Sequence, residues 1–302
     1  MGGCPVSADP MDTPNLSPML ASDLRTCTPG AGKLWAVEPK LDGMRVLAFA
    51  DCFSNSVSYQ TRNGNPVLSL SSLASLGAEL LELSRRASCA LLLDCEAVAG
   101  KGFFDGIGNL LQKKGSADGL EALAVFDVPW SGLLPDLAVA SYAERRQLLE
   151  DLFDLMPDRK LLRLVPQFEV ISTEALDAEA LLTQATSMGW EGVVLKDVDA
   201  PYYSGRRSRA WLKLKHQTTF DCKVVGFQPG KGRFDGAAGA LLILSPKGKV
   251  VSVGSGLTDD QRLEIYDHPG RWVGQMVEVA CQEFTPSGSM RHPVFVRVRA
   301  DL

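Results

Sequence analysis

Eight consecutive residues, Glu38-Pro39-Lys40-Leu41-Asp42-Gly43-Met44-Arg45, place a lysine between a carboxylate, a glycine turn and an arginine. An amine becomes a nucleophile only after losing its proton, and a free lysine, with a reference pKa of about 10.4, seldom has done so at neutral pH. Neighbouring cations or removal from water shift the balance toward the neutral amine. Arg45 is near in sequence. Lys213 and Lys215 alternate along Trp211-Leu212-Lys213-Leu214-Lys215, so on a regular strand both point to one side and can meet one anion together. A K-x-D-G tetrad by itself also fits an ordinary surface turn, so other segments must decide.

Those segments occur in order: Thr61-Arg62-Asn63-Gly64, Asp94-Cys95-Glu96, Phe126-Asp127, and Glu191-Gly192-Val193-Val194-Leu195-Lys196. Glu96 and Glu191 adjoin apolar runs, where an unpaired carboxylate is costly to bury. A loop acid is an equal reading for Glu191, plain core packing a competing one for Phe126, and hairpin decoration one for Arg62. Arg206, Arg207 and Arg209 precede Trp211, in a stretch from Tyr203 to Lys215 with five basic residues and no acidic one.

The elements needed to position these groups follow from periodicity and turn chemistry. Leu34 to Ala50 is broken by Pro39 and Asp42-Gly43 and reads as strand, tight turn, strand, with Lys40 at the turn. Ser56 to Thr61 alternates into Asn63-Gly64. Leu73, Leu76, Leu80 and Leu83 have helical spacing and end in Arg85-Arg86. Ser141 and Glu144 form a capping-box pattern ahead of a second helix, and Ala178 to Met188 reads as a third. Short apolar strands are expected at Ala90 to Val98, with Glu96 toward its end, and at Leu123 to Val128, Gly192 to Leu195 and Trp211 to Leu214. Beyond about residue 217, five short strands separated by glycine turns, with one helix from Asp259 to Tyr266, suggest a small barrel of the oligonucleotide-binding (OB) kind. The expected organisation is a partly loose N-terminal arm (1–33), a catalytic domain (16–217) and a barrel (218–302).

At 45% apolar and 22% charged residues the chain has the composition of a globular domain pair, with no apolar run of membrane-spanning length. Seven scattered cysteines without a C-x-x-C pair suggest reduced thiols, hence a cytoplasmic setting, and no secretory signal is visible. The net charge of -5 argues against a general electrostatic grip on nucleic acid and leaves local basic stripes to supply one.

Taken together, the ordered segments resemble the covalent nucleotidyltransferase superfamily and, within it, the short two-domain ATP-dependent DNA ligases of bacteria and phages. The similarity covers roughly residues 16 to 302. Its second-domain blocks are Pro229-Gly230-Lys231-Gly232-Arg233, Gly239-Ala240-Leu241-Leu242, Val253-Gly254-Ser255-Gly256-Leu257 and Arg291-His292-Pro293-Val294-Phe295. The resemblance implies an α+β nucleotidyltransferase (ATP-grasp-like adenylation) domain followed by an all-β OB-fold barrel. It implies that Lys40 attacks the ATP α-phosphate and holds AMP, with Lys213 and Lys215 neutralising the transferred phosphoryl group. Phe126 would stack on adenine and Glu38 help select it. Glu96 would meet ribose or metal, and Glu191 would help hold Mg²⁺, for which Mn²⁺ can substitute. Arg45 and Arg62 would meet the nick phosphate, Arg45 also binding ATP, while Arg206, Arg207 and Arg209 contact the DNA backbone. Nicked double-stranded DNA is the implied partner, with the protein acting as a monomer in a bacterial cell or phage-infected host; no protein partner is indicated.

The terminal R-x-D-K block of the family is represented by Arg299-Ala300-Asp301-Leu302, so Arg299 and Asp301 would bind ATP while leucine replaces the last lysine. Slower self-adenylation is the expected consequence. An RNA ligase, a GTP-dependent capping enzyme of the same superfamily, and a non-catalytic oligonucleotide-binding protein remain as alternatives.

Overall fold

The computed structural model describes residues 14–99, 117 and 119–299, in two compact units, Met1–Leu214 and Lys215–Leu302. The chain preceding residue 14, and Asp301 and Leu302 with the expectations attached to them, lie outside the described residues.

The first unit is built on two five-stranded sheets. In chain order its strands are β1 (Leu20–Asp23), β2 (Leu34–Lys40), β3 (Met44–Asp51), β4 (Ser56–Thr61), β5 (Leu91–Ala99), β6 (Leu120–Ser131), β7 (Leu162–Leu164), β8 (Glu169–Ser172), β9 (Gly192–Asp197) and β10 (Arg207–Lys215). Helices α1 (Leu68–Ser71), α2 (Ala74–Ala87), α3 (Tyr142–Asp154) and α4 (Ala178–Ser187) pack on them. One sheet has the order β1-β10-β9-β2-β8 and the other β4-β3-β5-β6-β7. The chain passes from one sheet to the other at the three residues between β2 and β3, Leu41-Asp42-Gly43. Lys40 is therefore the last residue of a strand in one sheet, and Arg45 lies at the start of a strand in the other.

Local chemistry accounts for these elements. Alternation along β3 puts Val46 and Ala48 into the main core with Leu76, Leu80 and Leu83 from one face of α2. At the start of α3 the Ser141 hydroxyl accepts from Glu144 N while the Glu144 carboxylate accepts from Ser141 N, so the capping box forms as the sequence predicts. Part of the partly loose arm docks, since β1 pairs in parallel with β10 (Leu20 opposite Arg207). Glu96 lies toward the end of β5, which pairs with β3 as far as Ala97 and with β6 as far as Ala99.

The second unit is one five-stranded sheet in the order β13-β12-β11-β14-β15, from β11 (Thr218–Pro229), β12 (Ala238–Leu244), β13 (Val250–Val253), β14 (Met276–Cys281) and β15 (Val294–Val298), with helix α5 (Asp259–Asp267). Ser255, just after β13, bridges Val294 of β15, so the two outer strands approach each other and the sheet curls in the OB manner. Its core, including Leu241, Ile243, Val277, Val279 and Trp272, is separate from those of the first unit.

Candidate active site

The β2–β9 register sets Lys40 opposite Gly192, which brings it against the preceding residue, Glu191. The Lys40 ammonium is hydrogen-bonded and ion-paired to Glu191 Oε2. The Leu41-Asp42-Gly43 turn packs on β5 so closely that a Cβ on Gly43 would run into the Ala97 carbonyl oxygen and lie 2.8 Å from Cγ of Glu96. That close approach is why the position takes glycine.

Across the turn, β3 pairs Arg45 with Glu96 and Leu47 with Asp94. The Arg45 guanidinium makes a two-point ion pair with buried Asp94, Nε–Oδ1 at 2.8 Å and Nη2–Oδ2 at 2.6 Å. Asp94 also accepts from the Tyr202 hydroxyl at 2.6 Å. Burial disfavours the Arg45 charge, but the Asp94 carboxylate more than offsets it and raises the pKa above its ordinary value. Among the described residues Glu96 has no such bidentate partner. Burial drives its pKa up to about 7, with Arg45 and Lys40 opposing the rise and Asp94 and Glu191 adding to it.

Phe126 owes its position to a bulge. Asp94 pairs with Asp127 and Cys95 with Val125, which leaves Phe126 as the extra residue. Its ring lies 5.0 Å from the Arg45 guanidinium and 6.0 Å from the ring of Trp211, to which it is edge-on. Below it, the Lys196 ammonium is packed among the rings of Phe126 (4.9 Å), Tyr142 (4.7 Å) and Trp211 (4.6 Å). Lys196 is 1% exposed and pairs with Glu38 at 2.7 Å, while also donating to the Phe126 carbonyl at 2.7 Å. Glu38 Oε1 accepts from the Tyr142 hydroxyl. Burial lowers the Lys196 pKa and raises that of Tyr142.

Many of these groups, though not Glu191, Asp94, Tyr142 or Tyr202, line a cavity of about 250 Å³. Its lining brings together Lys40, Glu38, Arg45, Arg62, Glu96, Phe126, Arg207 and Lys213 from the sequence-predicted set. Burial lowers the Lys213 pKa, Asp23 opposing and Arg207 and Lys40 contributing. Lys215 is not part of the lining; its ammonium lies 3.4 Å from Gln282 Oε1. Arg206 is also absent from it, and Arg209 lines a separate depression with Lys33 and Asp197. Arg299 belongs to the second unit, where it pairs with Asp221 at 2.5 Å.

Sequence reasoning passed over Lys196, Trp211, Asp94, Tyr142 and Tyr202. Lys196, Trp211 and Asp94 stand within the motif blocks themselves, so their signal was adjacency to a recognised residue. Tyr142 and Tyr202 carry no local signal because their partners, Glu38 and Asp94, are more than a hundred residues away.

No cluster of three or more His, Cys, Asp or Glu side chains suited to a metal occurs among the described residues. Mg²⁺, however, is usually held by one or two carboxylates together with substrate phosphates, and Glu96 with Glu191 meets that requirement.

A lysine at a strand end, in a cavity with a second cation, carboxylates and edge-to-face aromatic rings, on two sheets followed by an OB-like unit, defines a nucleotidyltransferase architecture. The profile of the ATP dependent DNA ligase domain matches residues 18–215, and that of the DNA ligase OB-like domain matches residues 229–299. The chain belongs to the ATP-dependent DNA ligase family. It is 31% identical over 297 residues to a DNA ligase of Methanoculleus marisnigri, covering 88% of this chain and 51% of that protein. It is 30% identical over 263 residues to the multifunctional non-homologous end joining protein LigD of Mycolicibacterium smegmatis, covering 84% of this chain and 31% of that one. The chain thus spans about half the length, or less, of the curated relatives it matches. Among solved structures, a Lig E DNA ligase described as binding DNA with a minimal scaffold superposes with a TM-score of 0.66 at 26% identity, covering 94% of this chain and 99% of that one. The ligase domain of M. tuberculosis LigD gives 0.54 at 26% identity, covering 95% and 96%.

Proposed function

We propose that this protein seals nicks in duplex DNA, using ATP and a covalent adenylate on Lys40. The observation that carries the reading is the placement of Lys40, at the end of β2, in one cavity with Glu96, Phe126 and Lys213, and against Glu191. Each group suits a task. The Phe126 ring, backed by Trp211, offers a face for adenine. The Lys196–Glu38 pair closes the cavity floor and presents fixed polar groups to the purine edge. Lys213 places a cation where the transferred phosphoryl group would lie. Glu96 and Glu191 would hold Mg²⁺, or Mn²⁺ in its place, which when bound supplies neutralising charge to the phosphates.

In the first reaction the Lys40 amine attacks the α-phosphorus of ATP, forming a P–N bond as the α–β bridging P–O bond breaks and pyrophosphate leaves. Glu191, already hydrogen-bonded to Nζ, is the group placed to accept the amine proton. In the second, an oxygen of the nick 5′-phosphate attacks the same phosphorus and the P–N bond breaks, returning a proton to Lys40. In the third, the 3′-hydroxyl attacks the 5′-phosphate, AMP departs and the backbone closes. Arg45 and Arg62, which line the cavity, would meet the 5′-phosphate, and Arg207, also in the lining, the adjoining backbone. The same reading has the protein acting on nicked duplex as a monomer in the cytoplasm.

Incubation with α-labelled ATP or GTP, wild type beside Lys40→Ala, followed by denaturing electrophoresis and addition of nicked duplex, tests it. Label from ATP on the wild type alone, chased into sealed DNA, is the expected result. Label on Lys40→Ala, or labelled protein unable to seal any nick, contradicts it.

A further inference from the structure

Tyr202 lies on the connection from β9 to β10 and is buried. Its backbone is pinned, Tyr202 N donating to the Ala138 carbonyl at 2.8 Å. Its ring is edge-on to Trp211 at 5.8 Å and has the Arg145 guanidinium 5.7 Å from its centre. Trp211 in turn is edge-on to Phe126 and lies 5.3 Å from the Arg45 guanidinium.

The hydroxyl at the end of that ring is committed on both sides. A phenol has one proton to give, and here it goes to Asp94 Oδ2 at 2.6 Å, the same oxygen that accepts from Arg45 Nη2. The hydroxyl oxygen accepts from Met19 N at 3.0 Å, immediately before β1. Burial and the Asp94 charge hold the Tyr202 pKa well above its ordinary value, so the proton stays in place at neutral pH. Hydrogen bonds therefore run unbroken from Met19 N through Tyr202 and Asp94 to Arg45, joining the edge strand of one sheet to β3 of the other. The Met19 side chain is fully buried among Tyr202 and Trp211, and the next two residues, Leu20 and Ala21, line the cavity with Arg45.

We infer that Tyr202 is a positioning residue that makes the docking of β1 and the placement of Arg45 one coupled event. With β1 seated, Met19 N fixes the hydroxyl so that its proton faces Asp94, and Asp94 presents both oxygens to Arg45. With β1 displaced, the hydroxyl is free to turn away, and Asp94 loses the donor that orients it. The coupling is reciprocal, so whatever loosens Arg45 also loosens β1. Its bearing on the nick 5′-phosphate rests on the DNA ligase reading; the link from β1 to Arg45 does not.

Tyr202→Phe keeps the ring and removes only the hydroxyl. Hydrogen exchange at Met19 N, followed by mass spectrometry of peptides from residues 14–24, is expected to quicken by about 5- to 10-fold in this variant. Arg45→Lys, which lacks the two-point fork, is expected to quicken it as well and to add nothing once Tyr202 is phenylalanine. In single turnovers of pre-adenylated protein on saturating nicked duplex, Tyr202→Phe is expected to slow AMP transfer by about 10- to 100-fold without changing duplex affinity. Met19→Ala thins the ring contact and leaves both hydrogen bonds, so it is the packing control; where it fails to fold, Met19→Leu takes its place. Exchange at Met19 indifferent to Arg45→Lys overturns the inference, as does a loss of transfer rate in the packing control equal to that in Tyr202→Phe. Wild type assayed in parallel separates the two readings. Failure to form lysyl-AMP and seal a nick defeats the ligase reading and leaves the exchange cycle to decide this one, whereas normal sealing with Met19 indifferent to Arg45→Lys defeats the coupling alone.

Discussion

Lys196 and Glu38 meet at 2.7 Å with almost no access to water, the ammonium packed by three aromatic rings and the carboxylate bonded to Tyr142. Removing Lys196 leaves buried Glu38 with the Tyr142 hydroxyl and the more distant Arg146 guanidinium, at 3.9 Å, and loss of the close partner of a buried pair typically costs about 3–5 kcal/mol. Lys196→Met is therefore expected to lower unfolding stability by about that amount in urea, and Lys196→Met/Glu38→Gln to recover a large part of it. A double variant as unstable as the sum of the singles would contradict this. Glu96 makes a prediction in pH. Its carboxyl, raised from 4.5 to about 7 by burial, holds a proton in the folded chain that the unfolded chain has released between those values. It therefore favours folding at low pH, and the contribution is lost as pH rises through 7. Thermal melts of ligand-free Glu96→Gln should show less loss of Tm than wild type between pH 5 and pH 8; parallel curves would refute the assignment. At this scale the sequence was most informative where function concentrates unusual residue types: Lys40, Arg45, Glu96, Phe126 and Lys213 were all legible from motif blocks. Asp94 and Tyr202, which orient Arg45, were not, because a hydrogen bond across 108 residues leaves no mark on local spacing.

Among the elements, the link from β2 to β3 carries the closest tolerance. Gly43→Ala would force the turn off the Ala97 carbonyl and the Glu96 side chain, displacing Lys40 and Glu96 together. Overpacking of this kind costs about 1–3 kcal/mol, and misplacement of a reacting group by about 1 Å can cost about 100-fold in rate. Lysyl-adenylate formation in Gly43→Ala, followed by single-turnover labelling, should fall by about that factor while the chain stays folded. Adenylation at the wild-type rate would show that the turn relaxes without moving the lysine. Ser141→Ala removes one half of the α3 capping box and should cost about 1 kcal/mol, read as a lowered urea midpoint with unchanged slope. Helices α2, α3, α4 and α5 were legible because their apolar spacing or caps are strong. Strands β1, β7 and β8 were not: at three or four residues, with polar residues interspersed, they are too short for alternation to register and form only because a neighbouring strand offers its edge. The bulge that turns Phe126 toward the cavity was invisible for the same reason, since it is defined by register with β5 and not by any residue type.

On the scale of the whole molecule, the cores of the two units are composed of separate residues. Calorimetry should accordingly resolve two transitions, and a single one with equal calorimetric and van't Hoff enthalpies would show that they unfold as one. A net charge of -5 confines attraction for DNA to local basic groups. Nick affinity should therefore be modest and fall steeply with salt, while an affinity indifferent to ionic strength would exclude phosphate contacts as its source. The two-unit plan was legible in the change from mixed to all-β texture near residue 217, but the order of strands within a sheet was not. That order has a consequence during synthesis. Because β1 pairs with β10 and β2 with β9, the sheet that carries Lys40 joins the beginning of the first unit to its end. A nascent chain emerging from the ribosome holds Lys40 long before Glu191 or Lys213 exists, and must keep β1 and β2 unpaired on their inner edges for most of its translation. Such long-range closure is slow and leaves strand edges open to wrong partners. The cavity around Lys40 is thus completed late, once the strands that close it have been made.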